Sequence, residues 1–332
     1  MKILFALLVL SLTAFSQTGL RATAYQLSSE GKFDQAAGIY QKIVAENPDD
    51  SNALTNLSWC YLELHRFQEA ADTAKKAISL DPKESVAYNN LGYALIRLEQ
   101  YEAAIEPLRT SIKLDGGYEK SRANLINALV KLERTDEAIT ELRGAIAEYP
   151  QKTSYRRRLI ELLMQSGQEN AAISPLEELV KMEPNRAENY SMLGAVYMNT
   201  GQTAKGLEAF RQAAVLEPEN LNHLRNLAFA QSVEGKDDEA LATFQLVLAK
   251  NPRDFDAMFG LATRYRNLGQ LEEALSFGRK ALELRPNSGQ AIMFVAMTYV
   301  SKGDKDAARQ YLPQLKELNP QNAQLLEKAL AK

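Results

Sequence analysis

The chain has 332 residues, with 39 basic and 42 acidic side chains, a net charge of −3 and a single cysteine. That near-balance excludes a polyanion binder driven by overall charge, and one thiol excludes an internal disulfide framework. No GxxxxGK(S/T), HExxH, GxSxG or CxxC motif occurs, so the nucleotide-, zinc-, serine- and dithiol-based chemistries that depend on those spacings have no anchor.

The first element in chain order is a leader. Met1–Lys2 supplies one positive charge, Ile3 to Phe15 is an almost unbroken apolar run, and Ala14 and Ser16 are small residues two apart. The run is shorter than the ~20 residues that span a bilayer. The pattern therefore predicts a signal peptide over 1–16, a cut before Gln17, and a protein exported to the periplasm or outside the cell without stable membrane insertion.

From Gln17 onward the sequence is periodic. Proline recurs every 34 residues at Pro48 and Pro82, then at Pro150, Pro184, Pro218, Pro252, Pro286 and Pro320, with Gly116 in the missing slot. Twelve residues before each slot stands a small residue: Ala36, Ala70, Ala104, Ala138, Ala172, Gly206, Ala240, Ala274 and Ala308. Five earlier again, Gly31, Gly167, Gly201, Gly235, Gly269 and Gly303 mark six of the nine units. The glycine ends a first helix in a left-handed turn, the small residue lets a second helix cross its neighbours closely, and the proline stops that second helix. The joint Asp115–Gly116–Gly117–Tyr118 lacks the stop and is expected to be the loosest.

These columns resemble the tetratricopeptide repeat. The resemblance covers nine consecutive units at 17–50, 51–84, 85–118, 119–152, 153–186, 187–220, 221–254, 255–288 and 289–322. A C-terminal capping helix over 323–332 follows, built on Leu325, Leu326 and Leu330. It implies an all-α fold, a right-handed superhelical α-solenoid of helix–turn–helix units forming one elongated array, whose first helices line a concave groove.

In that groove the N-terminal half reads as polar, aromatic and basic. Asn56, Asn90 and Asn124 occupy one column in consecutive units, and Asn226 returns to it. A carboxamide offers a donor and an acceptor together, which suits the backbone of an extended peptide. Nearby stand Trp59, Asn89, Tyr93, Arg97 and Lys120, followed by Asn127, Lys131, Arg157 and Arg158. Chaperone-binding members of the family hold a C-terminal carboxylate in a clamp of Lys, Asn and Arg. Asn124 and Arg158 match it, whereas Asn89, Tyr93 and Ser154 stand where it needs Lys, Asn and Lys, so chaperone binding is not implied. The C-terminal half reads as apolar: Phe229, Phe259, Met293, Phe294 and Met297, with Met192 and Met198 leading in.

Cys60 is expected to be buried and inert, and His65 and His223 exposed and too far apart to share a metal. The sequence thus predicts a non-catalytic exported scaffold, without cofactor or metal, that binds a protein or peptide in its groove. Two other readings are an accessory subunit of an envelope assembly or polysaccharide-export machine docking by its convex face, and a glycan or peptidoglycan binder stacking sugars on Trp59 and Tyr93.

Overall fold

The structure, a computed structural model, describes residues 18–114 and 119–331. The expected leader with Gln17 and the joint Asp115–Gly116–Gly117–Tyr118 lie outside the described residues. Every regular element among the described residues is a helix. They group into two compact units, divided between Ser166 and Gly167.

The first unit contains α1 (18–29), α2 (Phe33–Glu46), α3 (Ser51–Glu63), α4 (Phe67–Leu80) and α5 (Ser85–Arg97), then α6 (Tyr101–Leu114), α7 (Glu119–Lys131), α8 (Thr135–Glu148) and α9 (Thr153–Gln165). The second contains α10 (Glu169–Met182), α11 (Ala187–Asn199), α12 (Thr203–Leu216), α13 (Leu221–Val233), α14 (Asp237–Lys250) and α15 (Phe255–Asn267). It continues through α16 (Leu271–Leu284), α17 (Gly289–Lys302), α18 (Lys305–Arg309), α19 (Leu312–Leu318) and α20 (Pro320–Ala331). Within each unit, most consecutive helices pack against one another. Some odd-numbered helices also pack on the next odd-numbered one, as α3 does on α5, α5 on α7, α11 on α13 and α13 on α15.

The three punctuation columns explain this regularity. Gly31, Gly167, Gly201, Gly235, Gly269 and Gly303 all have positive φ, from 70° to 86°. His65, Glu99 and Glu133 take the same left-handed conformation, at φ 59°, 59° and 57°, where the other units have glycine. The turn is a Schellman motif: Arg66 N donates to Tyr61 O while His65 N donates to Leu62 O, and Gln202 and Gly201 repeat the pair on Tyr197 and Met198. Before each proline the helix has already stopped. The residues Asp81, Glu217 and Asn251 are extended, with φ near −130°, because proline disfavours a helical residue before it. The small-residue column is fully buried, Ala36, Ala70, Ala104, Ala138, Ala172, Ala240, Ala274 and Ala308 all being at 0% exposure.

Two terminal details differ from the periodic expectation. The last repeat's second helix breaks into α18 and α19 at Gln310–Tyr311, with Pro313 in the first turn of α19. The capping helix begins at Pro320 rather than 323 and buries Ala323, Leu326 and Leu330, while Leu325 is 54% exposed. Residues three and four apart share a helix face, so Ala323 takes the place that the leucine spacing suggested for Leu325. These residues close a cluster with Ile292, Ala296, Ala308 and Leu315.

Candidate functional site

Each unit has a cleft lined chiefly by its odd-numbered helices. In the first unit, α3, α5 and α7 line a cleft of about 410 Å³ that brings together Asn56, Trp59, Asn89, Asn90, Tyr93, Lys120 and Asn124. Repeat spacing explains the gathering. Helices of equal length and start point place residues 34 apart side by side, so Asn56, Asn90 and Asn124 form one row and Trp59 and Tyr93 another.

The asparagines are not equivalent. Asn90 is buried, its Nδ2 donating to the Thr55 carbonyl at 3.1 Å and to Ser58 Oγ at 2.8 Å. It joins repeats and is committed to the fold. Asn89 Oδ1 accepts from Ser121 Oγ at 3.1 Å and from Asn124 Nδ2 at 3.2 Å, leaving the Asn89 Nδ2 protons without a partner among the described residues. Asn56 spends its Nδ2 on the Asn52 carbonyl at 2.9 Å and on Asn52 Oδ1 at 3.1 Å, and keeps Oδ1 as an acceptor. Trp59 is braced edge-on by Phe33 at 5.4 Å. Lys120 and Glu63, both exposed and both lining the cleft, have no ion-pair partner among the described residues.

The remaining basic residues predicted for this half lie outside that cleft. Arg97 is held over the Phe67 ring at 4.3 Å and donates to Tyr93 Oη at 3.2 Å. Asn127 and Arg158 line a smaller hollow of about 240 Å³, where Arg158 pairs with Glu161 at 2.9 Å. Lys131 is exposed at the end of α7, and Arg157 is half-buried on α9.

In the second unit, α13 and α15 with Phe244 of α14 and Gln290 of α17 line a cleft of about 540 Å³. Asn226, Phe229 and Phe259 meet there as expected. Phe294 does not line it. It is 8% exposed, lies edge-on against Phe259 at 5.2 Å, and sits over Gly278 in the core. Met293 and Met297 pack against the cluster around Ile292, and Met198 covers Gly206 and joins the cluster around Phe210. Sequence reasoning missed Val233, Phe255, Gly260, Thr263 and Arg264. The repeat arithmetic carried a signal for two of them: Val233 stands in the column of Arg97 and Lys131, and Thr263 in the column of Trp59 and Tyr93.

Elsewhere, Cys60 is fully buried beside Ser28, and burial pushes its thiol up. His65 is exposed, but His223 is not. It is 7% exposed, with Nε2 3.2 Å from Glu217 Oε2 and a buried, unpaired Nδ1. It lies in the first turn of α13, beside Glu217 of the preceding loop. No helix among the described residues is long and apolar enough to cross a membrane.

Family profiles described as tetratricopeptide repeat match residues 27–92, 129–197 and 265–332, with further matches at 234–289, 85–118 and 187–220. No curated protein matches. Among solved structures, a MamA protein is similar at 23% identity and TM-score 0.46, over 52% of this chain and 94% of that one. MamA residues 41 to the end from Desulfovibrio magneticus RS-1 is similar at 21% and 0.48, over 51% and 96%. YrrB, described as a TPR protein with an unusual peptide-binding site, is similar at 23% and 0.45, over 56% and 95%. Repeated family matches over most of the sequence, on helices that keep the 34-residue register, place this chain in the tetratricopeptide repeat family.

Proposed function

We propose that the chain is a non-catalytic, exported scaffold that binds a protein or peptide partner in the cleft formed by α3, α5 and α7. The observation that carries this reading is the unspent hydrogen-bonding capacity of that cleft. Asn89 retains a donor and Asn56 an acceptor, the two groups that an extended peptide backbone needs. Trp59 and Tyr93 add rigid aromatic area, and Lys120 and Glu63 offer charges not already used within the unit. Export rests on the leader pattern of residues 1–16 and is tested by sequencing the N-terminus of the native protein. A start near Gln17 is expected, and a mature chain retaining Met1 counts against it.

Binding is tested by placing a photo-crosslinking residue at Asn56 and, in a second variant, at exposed Lys75 on α4. Native-cell crosslinking should give discrete adducts from position 56 and none from position 75. A peptide from the captured partner should then shift the emission of Trp59, the only tryptophan. Equal adducts from both positions, or unchanged Trp59 emission at saturation, would remove the cleft as the recognition site.

A further inference from the structure

We infer that the second unit carries a separate docking site whose occupant is an uncharged, apolar peptide segment. The site is the cleft between α13 and α15. Phe229 is 59% exposed and Val233 48% exposed, and they stand one helical turn apart on α13 at the mouth of the cleft. Facing them on α15, Phe255 and Phe259 stack in parallel at 5.9 Å with a 2° interplanar angle. The floor is the Phe244 ring. It reaches Gly260 so closely that a Cβ there would lie 2.4 Å from Phe244 Cζ. Gly260 stands in the asparagine column, and Thr263 in the column of Trp59. Glycine at 260 makes room for the buried Phe244 ring, and the short Thr263 side chain keeps the wall of the cleft low.

Isolated exposed apolar residues are ordinary on a protein surface. Two exposed and two half-buried apolar side chains around one concavity, over a ring-lined floor, are not.

The charges define the ligand. Arg225 is held by Asp254 and Asn222. Arg264 donates to Asp237 at 3.0 Å and to the Ser232 carbonyl at 3.1 Å. Arg285 pairs with Asp256 at 3.8 Å while lying over the Phe255 ring at 4.0 Å. Each ionic group on the rim thus already has an opposite charge within the unit. A charged ligand would have to break one of these pairs, whereas an uncharged apolar side chain displaces only water. The first unit's cleft, with Lys120 and Glu63 unpaired, has the opposite character, so the two sites select different chemistry.

The test is panning of a random-peptide display library on the full chain, counter-selected on the Phe229→Ser variant. An enriched peptide is then labelled and its binding followed by fluorescence anisotropy. Enriched sequences should be uncharged and rich in Phe, Leu or Met, and their affinity should be nearly constant from low to high salt. Phe229→Ser, a change at an exposed position, should weaken binding by about tenfold or more with helical circular dichroism unchanged. Trp59→Ala in the other unit should leave it within about twofold. The inference is overturned if no peptide is enriched, if the enriched peptides are charged and salt-sensitive, if Phe229→Ser binds as wild type does, or if Trp59→Ala causes the larger loss. Loss on Trp59→Ala would point to the first unit's cleft instead. Failure of either site therefore leaves the other separately measurable.

Discussion

Leu108 fills the space that a side chain at Gly92 would occupy: a Cβ added to Gly92 would lie 2.4 Å from Leu108 Cγ and 2.6 Å from Cδ2. The leucine is fully buried and the glycine lies inside α5, so α5 and α6 approach closely only because one of the pair has no side chain. Gly194 and Phe210 repeat the relationship in the second unit, with ring atoms 2.8 Å from the added Cβ. Gly92→Ala gains helix propensity of up to about 1 kcal/mol, but overpacking costs about 1–3 kcal/mol. A net loss of stability is expected in urea denaturation. The second change Leu108→Ala should make the alanine at 92 neutral or favourable, giving a clear coupling energy in the double-mutant cycle. Additive effects would show that the contact does not limit helix approach.

His65, Glu99 and Glu133 hold left-handed backbone that glycine supplies elsewhere. A side-chain-bearing residue there costs about 1–2 kcal/mol, partly offset by the entropy glycine loses on folding. Glu99→Gly and Glu133→Gly should each stabilise the first unit by about 1 kcal/mol. His65→Gly should gain less, because the imidazole also packs on Phe67 at 5.7 Å. A lower denaturation midpoint for the two glutamate variants would contradict this account of the turn.

Asn90 and Asn56 share a column but should respond differently to alanine. Asn90→Ala removes two buried hydrogen bonds and leaves a cavity, an expected cost of about 2 kcal/mol in stability. Asn56→Ala removes only bonds within its own helix turn and should leave stability within about 0.5 kcal/mol. Its effect should appear in partner affinity. Thermal denaturation of the two variants side by side separates the roles, and equal melting temperatures would refute the distinction.

Burial pushes the phenols of Tyr40, Tyr155 and Tyr197 up to about 12. Glu177 accepts a hydrogen bond from Tyr197 at 2.5 Å, and the nearby Glu119 carboxylate acts in the same direction on Tyr155, whose hydroxyl has no well-formed hydrogen bond. These phenols ionise near 10 in the unfolded chain. The folded state therefore favours the neutral form. That stabilisation is complete below about pH 10 and is lost as pH rises from about 10 to 12. Urea midpoints should fall over that interval, and Tyr40→Phe should make the fall shallower. A midpoint unchanged up to about pH 11.5 would contradict the assignment.

Local chemistry made the punctuation of this chain legible. A glycine that needs positive φ, an alanine where helices cross and a proline that forbids helix continuation each act within a few residues. Their spacing therefore announced the helix pairs, and the family, before any coordinates. The same local reading found the row of asparagines and the residues Trp59, Tyr93 and Lys120 that meet in the first cleft.

Only the tertiary structure decided which of the predicted residues are spent on the fold and which keep free groups or exposed surface. Asn90 is committed to the fold while Asn56 and Asn89 keep free groups. Phe294 is core while Phe229 is exposed, and His223 is buried beside Glu217. Leu325 points away from the cap while Ala323 enters it. The physical reason is that a helix's periodicity fixes the direction of a side chain about its own axis. Burial depends on the size of the residue facing it on the neighbouring helix, as Gly260 with Phe244 and Gly278 with Phe294 demonstrate. That information is held in pairs of positions on neighbouring helices, and it became readable only when the packing brought them together.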